Sequence, residues 1–446
     1  MPFPGPEPQL ADQPLGGKWD WSRYEEFSPY LQDIGGGPTF FEVVWCDVER
    51  EQGYREWKLV DRIAKRTIEL GYRLALKIRV GTCWATGGRG DFVRGSKGKT
   101  ESGVPEDMGA YLDFVRAAVK RYVGAGVQQY ALENEVNSQS MWAGTPDQLV
   151  DLVTEAAAVI RQADPDAVIV DPGISSTAYG AGIASWLLDK RQDAEAVAAY
   201  QRYYARRFST RGEQLPEVRN ADDLRRALEG EQAQRNLAYL DAARKLAQSR
   251  VVDVRQLHFY EPSENIPQLM SFVRSQIPDG MPVQAWEVGI FDKDADSDDA
   301  QRSDDVVKTV ALLLAEGVQK IMWLPLAFDP TGRHSEEPRY GLLQPSGEPR
   351  AGGRAYLALA QAAQDAEVRP VQSSRFIGVA LGHEQSTTLV LWSRSSSSQS
   401  LSAPGGLASR PDGQPAKVSG GRVDIGQTPV LVKVPIPADE AMELTT

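Results

Sequence analysis

A repeated order of helix, glycine and strand constrains the fold of this chain more than any other feature of its sequence. Residues 55–70 carry apolar side chains at helical spacing, and a glycine then leads into the apolar run 74–78. Residues 105–122 repeat the pattern, with glycines before the apolar run 130–132. Apolar residues three and four apart predict helices, and short apolar runs between them predict buried strands. Strands separated by whole helices pair in parallel, so the pattern predicts an α/β fold.

The number of these units favours a closed (β/α)8 TIM barrel over an open sheet. Further apolar runs predict strands at residues 40–45, 167–170, 254–260, 283–289 and 321–326. The strand that should precede the first helix is hard to place, because only residues 13–18 are available and they are rich in glycine. Either this poor segment closes the barrel or the chain begins late.

A second region follows the barrel. After about residue 367, short β-like runs at 376–380, 388–392 and 430–434 are separated by serine, glycine and proline. This texture predicts a small all-β domain, and we expect a β-sandwich. The predicted division is therefore a barrel over residues 1–368 and a β-sandwich accessory domain over 369–446. Within the barrel, residues 174–231 predict a helical insertion, placed as a lid or wall at one edge of a site.

The charge and composition narrow the classes of partner. The formal net charge is -12, from 61 acidic and 49 basic residues, so the chain should repel nucleic acid. No apolar run approaches the ~20 residues of a membrane-spanning helix, which predicts no membrane insertion. The first eight residues lack the basic and apolar regions of a signal peptide. Localisation stays open: extracellular if the N-terminus is processed or truncated, and cytoplasmic otherwise.

The two cysteines, Cys46 and Cys83, each follow one of two consecutive predicted strands. They are too few for a disulfide scaffold or a cysteine-built metal cluster. A disulfide between them and two free thiols are both compatible with the sequence.

Acidic residues end two of the predicted strands. Glu133, Asn134 and Glu135 follow the run 130–132, and Glu287 lies near the end of the run 283–289. A carboxylate at the end of a buried strand is costly to desolvate unless it is paired or takes part in chemistry. In a parallel barrel the carboxyl ends of the strands converge, which would bring the acids together. The alternative is that Glu135 and Glu287 are separate structural carboxylates, each paired with an arginine or lysine.

These strand ends resemble a known family. The residues that carry the resemblance are Asn134 and Glu135 on strand four, His258 and Tyr260 on strand six, Glu287 on strand seven and Trp323 on strand eight. Together they are similar to the signature of the glycoside hydrolase clan A barrels. The segment from Asn134 to Asn137 and the following Trp142–Pro146 are most similar to glycoside hydrolase family 39 and its relatives.

The resemblance implies a retaining glycosidase that needs no cofactor and acts on a carbohydrate substrate. It implies that Glu135 is the acid/base and Glu287 the nucleophile. Asn134 would hold a sugar 2-hydroxyl, and Tyr260 would donate to the nucleophile. His258 would orient the acid or a hydroxyl, and Trp323 would form the floor beneath the sugar.

Two features depart from the pattern of the clan. Glu133 lies two residues before Glu135, so on a regular strand it would share its face and could take the acid/base role instead. Strand two has no arginine to support the nucleophile, and Arg79 at the end of strand three is the predicted substitute.

Other signals are weighed against simpler explanations. Trp84 and Trp142 predict sugar platforms, with buried packing as the alternative. The basic loop 81–103, with Arg89, Arg94, Lys97 and Lys99, either flanks the cleft or is merely solvated. The acidic run 292–298 imitates a calcium loop but lacks its glycine and its bidentate glutamate, so no metal is predicted.

The three histidines are scattered without zinc-site spacing, and no phosphate-binding glycine motif occurs. The main alternative to an active glycosidase is a catalytically decayed carbohydrate-binding protein on the same barrel. A metal-dependent barrel hydrolase is the third possibility.

Overall fold

The computed structural model describes residues 12–87, 102–207, 215–290, 298–328 and 339–446. The chain forms two compact units, the first built from residues 38–261 and 268–287 and the second from residues 12–37, 262–267 and 288–446. The opening residues 1–11, most of the basic loop 81–103 and residues 292–297 of the acidic run lie outside the described ranges, so the predictions made for them stay predictions.

Eight parallel-sheet strands confirm the predicted α/β barrel fold. In chain order they are β1 (Leu15–Gly17), β2 (Pro38–Val44), β3 (Arg73–Arg79), β4 (Gln129–Leu132), β5 (Val168–Val170), β6 (Arg255–Phe259), β7 (Val283–Val288) and β8 (Ile321–Trp323). In the first unit, β2, β3, β4 and β5 pair in parallel in that order. A parallel bridge from Val170 to Val254 continues this sheet toward β6.

In the second unit, β1 pairs in parallel with β8, with Leu15 opposite Ile321 and Gly17 opposite Trp323. This pairing answers the question that the sequence left open, because the glycine-rich segment 13–18 does contain the first strand. Its three residues include two glycines, so neither propensity nor alternation marks it as a strand.

The helices of the described ranges lie between and after these strands. They are α1 (Tyr24–Ile34), α2 (Trp45–Val48), α3 (Lys58–Glu69), α4 (Met108–Tyr122), α5 (Pro146–Ala163), α6 (Ser176–Asp189), α7 (Asp193–Tyr203), α8 (Ala221–Leu228), α9 (Glu231–Gln248), α10 (Ile266–Gln276), α11 (Asp299–Ala315), α12 (Ala351–Ala363) and α13 (Ala438–Glu443). Helices α6, α7 and α8 occupy the stretch in which a helical insertion is predicted. No helix of the described ranges is both long enough and apolar enough to cross a membrane.

Local sequence signals explain where the helices begin and end. Thr145 caps α5 through a reciprocal pair of hydrogen bonds with Gln148, and Pro146 takes the first helical position. Gly71 and Gly126 follow helical segments with φ of 73° and 74°, a left-handed conformation that glycine adopts without steric cost. These glycines end the helical segments and turn the chain into the next strand.

The end of the chain forms the predicted all-β region within the second unit. Its strands are β9 (Glu367–Gln372), β10 (Phe376–His383), β11 (Ser386–Ser393), β12 (Gln399–Ser402), β13 (Leu407–Ser409), β14 (Val418–Ser419), β15 (Arg422–Ile425) and β16 (Val430–Val434). They make a five-stranded antiparallel sheet in the order β13-β16-β11-β10-β9 and a three-stranded sheet in the order β12-β15-β14. Buried side chains from both sheets, among them Leu391, Leu401 and Val423, form one apolar core. Two antiparallel sheets around a common core agree with the predicted sandwich.

A disulfide joins Cys46 and Cys83 in the first unit. Cys46 lies in α2, directly after β2, and Cys83 follows β3. Since neighbouring parallel strands end side by side, the two residues meet, and the disulfide is the correct one of the two states compatible with the sequence.

Candidate active site

The segment that carries the acids leaves the regular strand as soon as β4 ends at Leu132. Glu133 and Glu135 have φ of 64° and 45°, values that residues other than glycine rarely adopt. Two left-handed residues so close together break the alternation of side chains along a strand. Glu133 and Glu135 therefore do not share a face, although their spacing predicted that they would.

Hydrogen bonds from the surrounding elements hold this unusual backbone. Arg235 of α9 donates hydrogen bonds of 2.9 Å to the carbonyl oxygens of Asn137 and Trp142. The Asn137 side chain donates to Ser175 and to Asn236, each over 2.8 Å. A left-handed non-glycine residue costs about 1–3 kcal/mol and persists where its surroundings fix it. Here α9 and the segment after β5 provide that support.

Glu135, His258 and Glu287 form the centre of the site, all within the first unit. Nδ1 of His258 lies 3.1 Å from Oε1 of Glu135 and 3.5 Å from Oε2 of Glu287. One carboxylate oxygen of each glutamate and this ring nitrogen lie within 4.8 Å of one another. The Glu135 side chain is 17% exposed, whereas that of Glu287 is 6% exposed. Two carboxyl groups from distant parts of the sequence thus face each other, and one of them is more open to solvent.

Two further donors contact the buried carboxylate of Glu287. The Tyr260 hydroxyl, just past the end of β6, donates to Oε2 over 3.0 Å. The ammonium of Lys77 in β3 lies 3.5 Å from Oε1 and also donates to Oδ1 of Asn134. Hydrogen bonds and a nearby positive charge both favour the ionised form of a carboxylate. The environment of Glu287 therefore suits a group that must act as an anion.

Lys77 is the residue of this cluster that the sequence analysis missed. Its side chain is completely buried and lies above the Phe40 ring, 4.3 Å from the ring centroid. A lysine inside the apolar run 74–78 is the signal that could have identified it, because a buried ammonium needs a partner.

The predicted substitute, Arg79, is paired elsewhere. Its guanidinium lies 3.0 Å from Glu42 and 3.7 Å from Glu133. Lys77, two residues earlier on the same strand, takes the position beside Glu287 that was expected of Arg79.

Glu133 is paired with groups outside this cluster. It is completely buried and accepts a hydrogen bond of 2.7 Å from the Val80 amide. Burial raises the pKa of Glu133, and Arg79 and the Val80 amide offset part of that rise. Of the two glutamates, Glu135 is the one that lies near His258 and Glu287.

The donor set of the cluster suits paired acids better than a metal ion. Glu135, His258 and Glu287 are close enough to share a cation. However, the Lys77 ammonium and the Tyr260 hydroxyl already contact the oxygens of Glu287. A divalent cation would meet the repulsion of that ammonium and would compete with both donors for the same lone pairs.

The three predicted sugar-binding tryptophans lie in different surroundings. Trp142 is completely buried, and its indole donates to the Thr145 carbonyl over 3.5 Å, so it presents no ring face to a sugar. Trp323, in the second unit, is also buried and packs edge-on against Tyr356. Trp84 is partly exposed and donates to the Glu49 carbonyl over 2.8 Å. Of the three, Trp84 alone has exposed surface, and its platform role stays a prediction.

Several solved structures of similar fold are glycoside hydrolases. A family 39 glycoside hydrolase from the gut symbiont Bacteroides cellulosilyticus WH2 is similar with a TM-score of 0.62 at 14% identity, over 96% of this chain and 82% of that one. A GH39 β-xylosidase from Caulobacter crescentus gives 0.58 at 14% identity, over 97% of both chains. A GH30 endoxylanase from Clostridium papyrosolvens C71 gives 0.52 at 12% identity, over 96% of this chain and 97% of that one.

No protein-family model matches this chain, and no curated protein sequence matches it. At 12–14% identity, the likeness to the solved structures concerns the fold. This chain has the (β/α)8 barrel and the appended β-domain expected from its resemblance to clan A glycoside hydrolases.

Proposed function

We propose that this protein is a retaining glycoside hydrolase, with Glu135 as acid/base and Glu287 as nucleophile. The observation that carries the proposal is the approach of the two carboxyl groups to within 4.8 Å, with His258 between them. Retaining glycosidases hold their carboxyl groups about 5–5.5 Å apart, whereas inverting enzymes need about 6.5–9.5 Å to admit water. The separation here is close to the shorter of these two ranges and well below the longer one, which supports retention.

The environments of the two acids support the two roles. Glu287 receives a hydrogen bond from Tyr260 and lies beside Lys77, which favours the anion that a nucleophile must be. Glu135 is the more exposed of the two, so it is accessible to a leaving group and later to water. Asn134 accepts a hydrogen bond from Lys77 and lies next to Glu135, which supports a role for it in binding a sugar hydroxyl.

The reaction proceeds in two steps. In the first, a Glu287 oxygen forms a bond to the anomeric carbon while the bond to the glycosidic oxygen breaks, and Glu135 gives its proton to that oxygen. In the second, Glu135 takes a proton from water, the water oxygen bonds to the anomeric carbon, and the ester to Glu287 breaks. Both groups return to their starting states, and no cofactor takes part.

The carbohydrate class is proposed from the likeness of this chain to solved glycoside hydrolase structures. The solved structures of similar fold include a β-xylosidase and an endoxylanase, so β-xylosides are the first substrates to test. Fold alone does not fix a sugar, because specificity depends on the loops around the site.

The test is a panel of chromogenic aryl glycosides, beginning with β-xylosides, β-glucosides and β-mannosides. Proton NMR follows the anomeric configuration of the first product formed. We expect hydrolysis with retention, lost in Glu287→Ala and kept in Glu42→Ala, which removes an acid of the same sheet that pairs with Arg79. Binding without hydrolysis would indicate a carbohydrate-binding protein, and loss of activity in EDTA would indicate a metal-dependent hydrolase.

A further inference from the structure

A chain of hydrogen bonds leads from the interior of the barrel to the acid/base residue. Gln256 and His258 both lie on β6, two residues apart, and both are completely buried. Oε1 of Gln256 lies 3.3 Å from Nε2 of His258. The other nitrogen of the ring, Nδ1, faces Glu135 and Glu287. The imidazole therefore connects the glutamine amide with the two carboxylates.

The orientation of the Gln256 amide follows from its second partner. Its Nε2 donates to the backbone carbonyl oxygen of Asp171. Because a carbonyl oxygen only accepts, the amide nitrogen must point toward Asp171 and the amide oxygen toward His258. The backbone of Gln256 is fixed as well, since its amide donates to the Asp171 carboxylate over 2.6 Å. An amide oxygen can only accept a hydrogen bond, so Nε2 of His258 must carry the hydrogen that is donated to it.

The hydrogen on Nε2 determines what happens at Nδ1. In a neutral imidazole with a hydrogen on Nε2, Nδ1 is a bare acceptor. Here it would face two carboxylates that, when ionised, are also acceptors only, which is unfavourable in a buried site. The contact of 3.1 Å between Nδ1 and Glu135 is satisfied only if one more proton is present, either on Glu135 or on Nδ1.

The charged groups around the His258 ring are consistent with one extra proton shared by Glu135 and Nδ1. Glu135 and Glu287 face Nδ1 of His258. The Glu287 carboxylate is also contacted by the Lys77 ammonium and the Tyr260 hydroxyl. Behind Gln256, Asp171 pairs with Arg255. A side chain at position 173 would not fit, because a Cβ on Gly173 would lie 2.6 Å from Nε2 of His258. The ring is thus confined between Gly173, Gln256 and the two acids.

We propose that Gln256 is a positioning residue, which fixes the hydrogen of His258 on Nε2 and so keeps a proton on the Glu135–His258 pair for the leaving group. The catalytic part of this inference, that the proton is kept for the leaving group, rests on the proposed function. The protonation of His258 itself does not depend on any substrate. The two parts can therefore be tested separately.

The first test is the 15N NMR spectrum of the three histidines in the full chain, assigned with His334→Gln and His383→Gln. In the unaltered protein we expect the 15N shifts to show a hydrogen on Nε2 of His258, as the contact with Oε1 of Gln256 requires. In Gln256→Met, which keeps the length of the side chain and removes the acceptor, we expect the hydrogen to move to Nδ1, where it donates to Glu135. A bare Nε2 in the unaltered protein would overturn the proposal whether or not the variant folds.

The second test is kinetic. In Gln256→Met the Glu135–His258 pair loses its extra proton and Nδ1–H stabilises ionised Glu135, so we expect the basic limb of the kcat/KM profile to move to lower pH. For a substrate with a poor leaving group the rate should fall at least about tenfold, part of the 10²–10⁴-fold that general acid catalysis supplies. A substrate with a very good leaving group should be little affected.

The matched control for this test is Gln284→Met on β7, where a buried glutamine accepts a hydrogen bond of 2.8 Å from Trp286. It should leave the basic limb in place. An unshifted basic limb in Gln256→Met, or an equal loss for both leaving groups, would show that Gln256 is structural only. Absence of all hydrolysis in the unaltered protein would contradict the proposed function, while the NMR result would still decide the state of His258.

Discussion

The ammonium of Lys77 lies 3.5 Å from Oε1 of Glu287, and the two side chains are 0% and 6% exposed. One comes from the middle of β3 and the other from the end of β7, 210 residues later in the chain. A buried pair of this kind contributes little net stability when complete but is costly to break, because the remaining charge stays desolvated. Lys77 and Glu287 therefore depend on each other, and the behaviour of Glu287 should change when Lys77 is replaced.

Lys77→Met tests that dependence. The substitution removes the charge and keeps an unbranched apolar side chain, so Glu287 should ionise less readily. We expect the acidic limb of the kcat/KM profile to move to higher pH by about 1–3 units, the usual effect of an opposite charge within ~4–6 Å. Arg79→Met removes a buried cation of the same strand that pairs with Glu42 and Glu133, and it should lower stability without moving that limb. An unmoved acidic limb in Lys77→Met would contradict the role given to Lys77.

Tyr260→Phe removes the hydroxyl that donates to Glu287 over 3.0 Å. A hydrogen bond to a charged group is worth about 1.5–3 kcal/mol, so kcat/KM should fall about 10- to 100-fold while the fold is kept. The matched control is Tyr130→Phe, a buried tyrosine of β4 whose hydroxyl donates to the Val127 carbonyl over 3.1 Å. The control should change the melting temperature slightly and leave kcat/KM unchanged. Equal kinetic effects in the two variants would contradict a specific role for Tyr260.

Glu133→Gln and Glu135→Gln should differ although the residues are two positions apart. Glu135→Gln removes the proposed acid/base and should slow the cleavage of poor leaving groups by about 10²–10⁴-fold. Added azide, which needs no general base, should restore turnover of substrates with good leaving groups. Glu133→Gln should cost about 1–3 kcal/mol of stability, because it alters a buried hydrogen-bonded group, and should keep the activity of the folded protein. Rescue of Glu133→Gln by azide would reverse the assignment.

Glu49 should make stability depend on pH. Burial alone would raise the pKa of its carboxyl, but hydrogen bonds from Arg55, Gly53 and Trp45 outweigh burial and lower the pKa below its ordinary 4.5. Because the pKa is lower in the folded state, the stabilisation is present above about pH 4.5 and is lost as the pH falls through the folded value. Urea unfolding should show Glu49→Gln less stable than the parent at pH 7, with the difference shrinking on acidification. A difference that grows toward low pH would contradict this sign.

The sequence predicted the features that depend on periodicity. The helix-glycine-strand units appear because their apolar spacing and left-handed glycines such as Gly71 act locally. The strand Leu15–Gly17 could not be recognised in that way, since only its pairing with β8 makes it a strand.

The site was predicted by the order of strand ends, which placed Glu135, His258, Tyr260 and Glu287 together. Two kinds of feature in the site were not predicted. One is backbone that leaves regular strand geometry, and the other is the environment of a side chain, which residue type alone does not give. Glu133 turns away from Glu135 because both have positive φ, which alternation cannot anticipate. Lys77 was passed over as part of an apolar run. For Trp142 the sequence left a sugar platform and buried packing open, and its complete burial favours packing.

A covalent glycosyl-enzyme would identify the carboxyl group that bonds to the sugar. In a 2-deoxy-2-fluoro glycoside the fluorine slows both steps, and a good leaving group keeps the first step fast enough for the glycosyl-enzyme to accumulate. Peptide mass spectrometry then locates the labelled residue. The sugar of this reagent should match the substrate found in the panel. We expect one label per chain, on Glu287, and none in Glu287→Ala. A label on another carboxyl group, or no label in a protein that hydrolyses the parent substrate, would contradict the proposed role of Glu287.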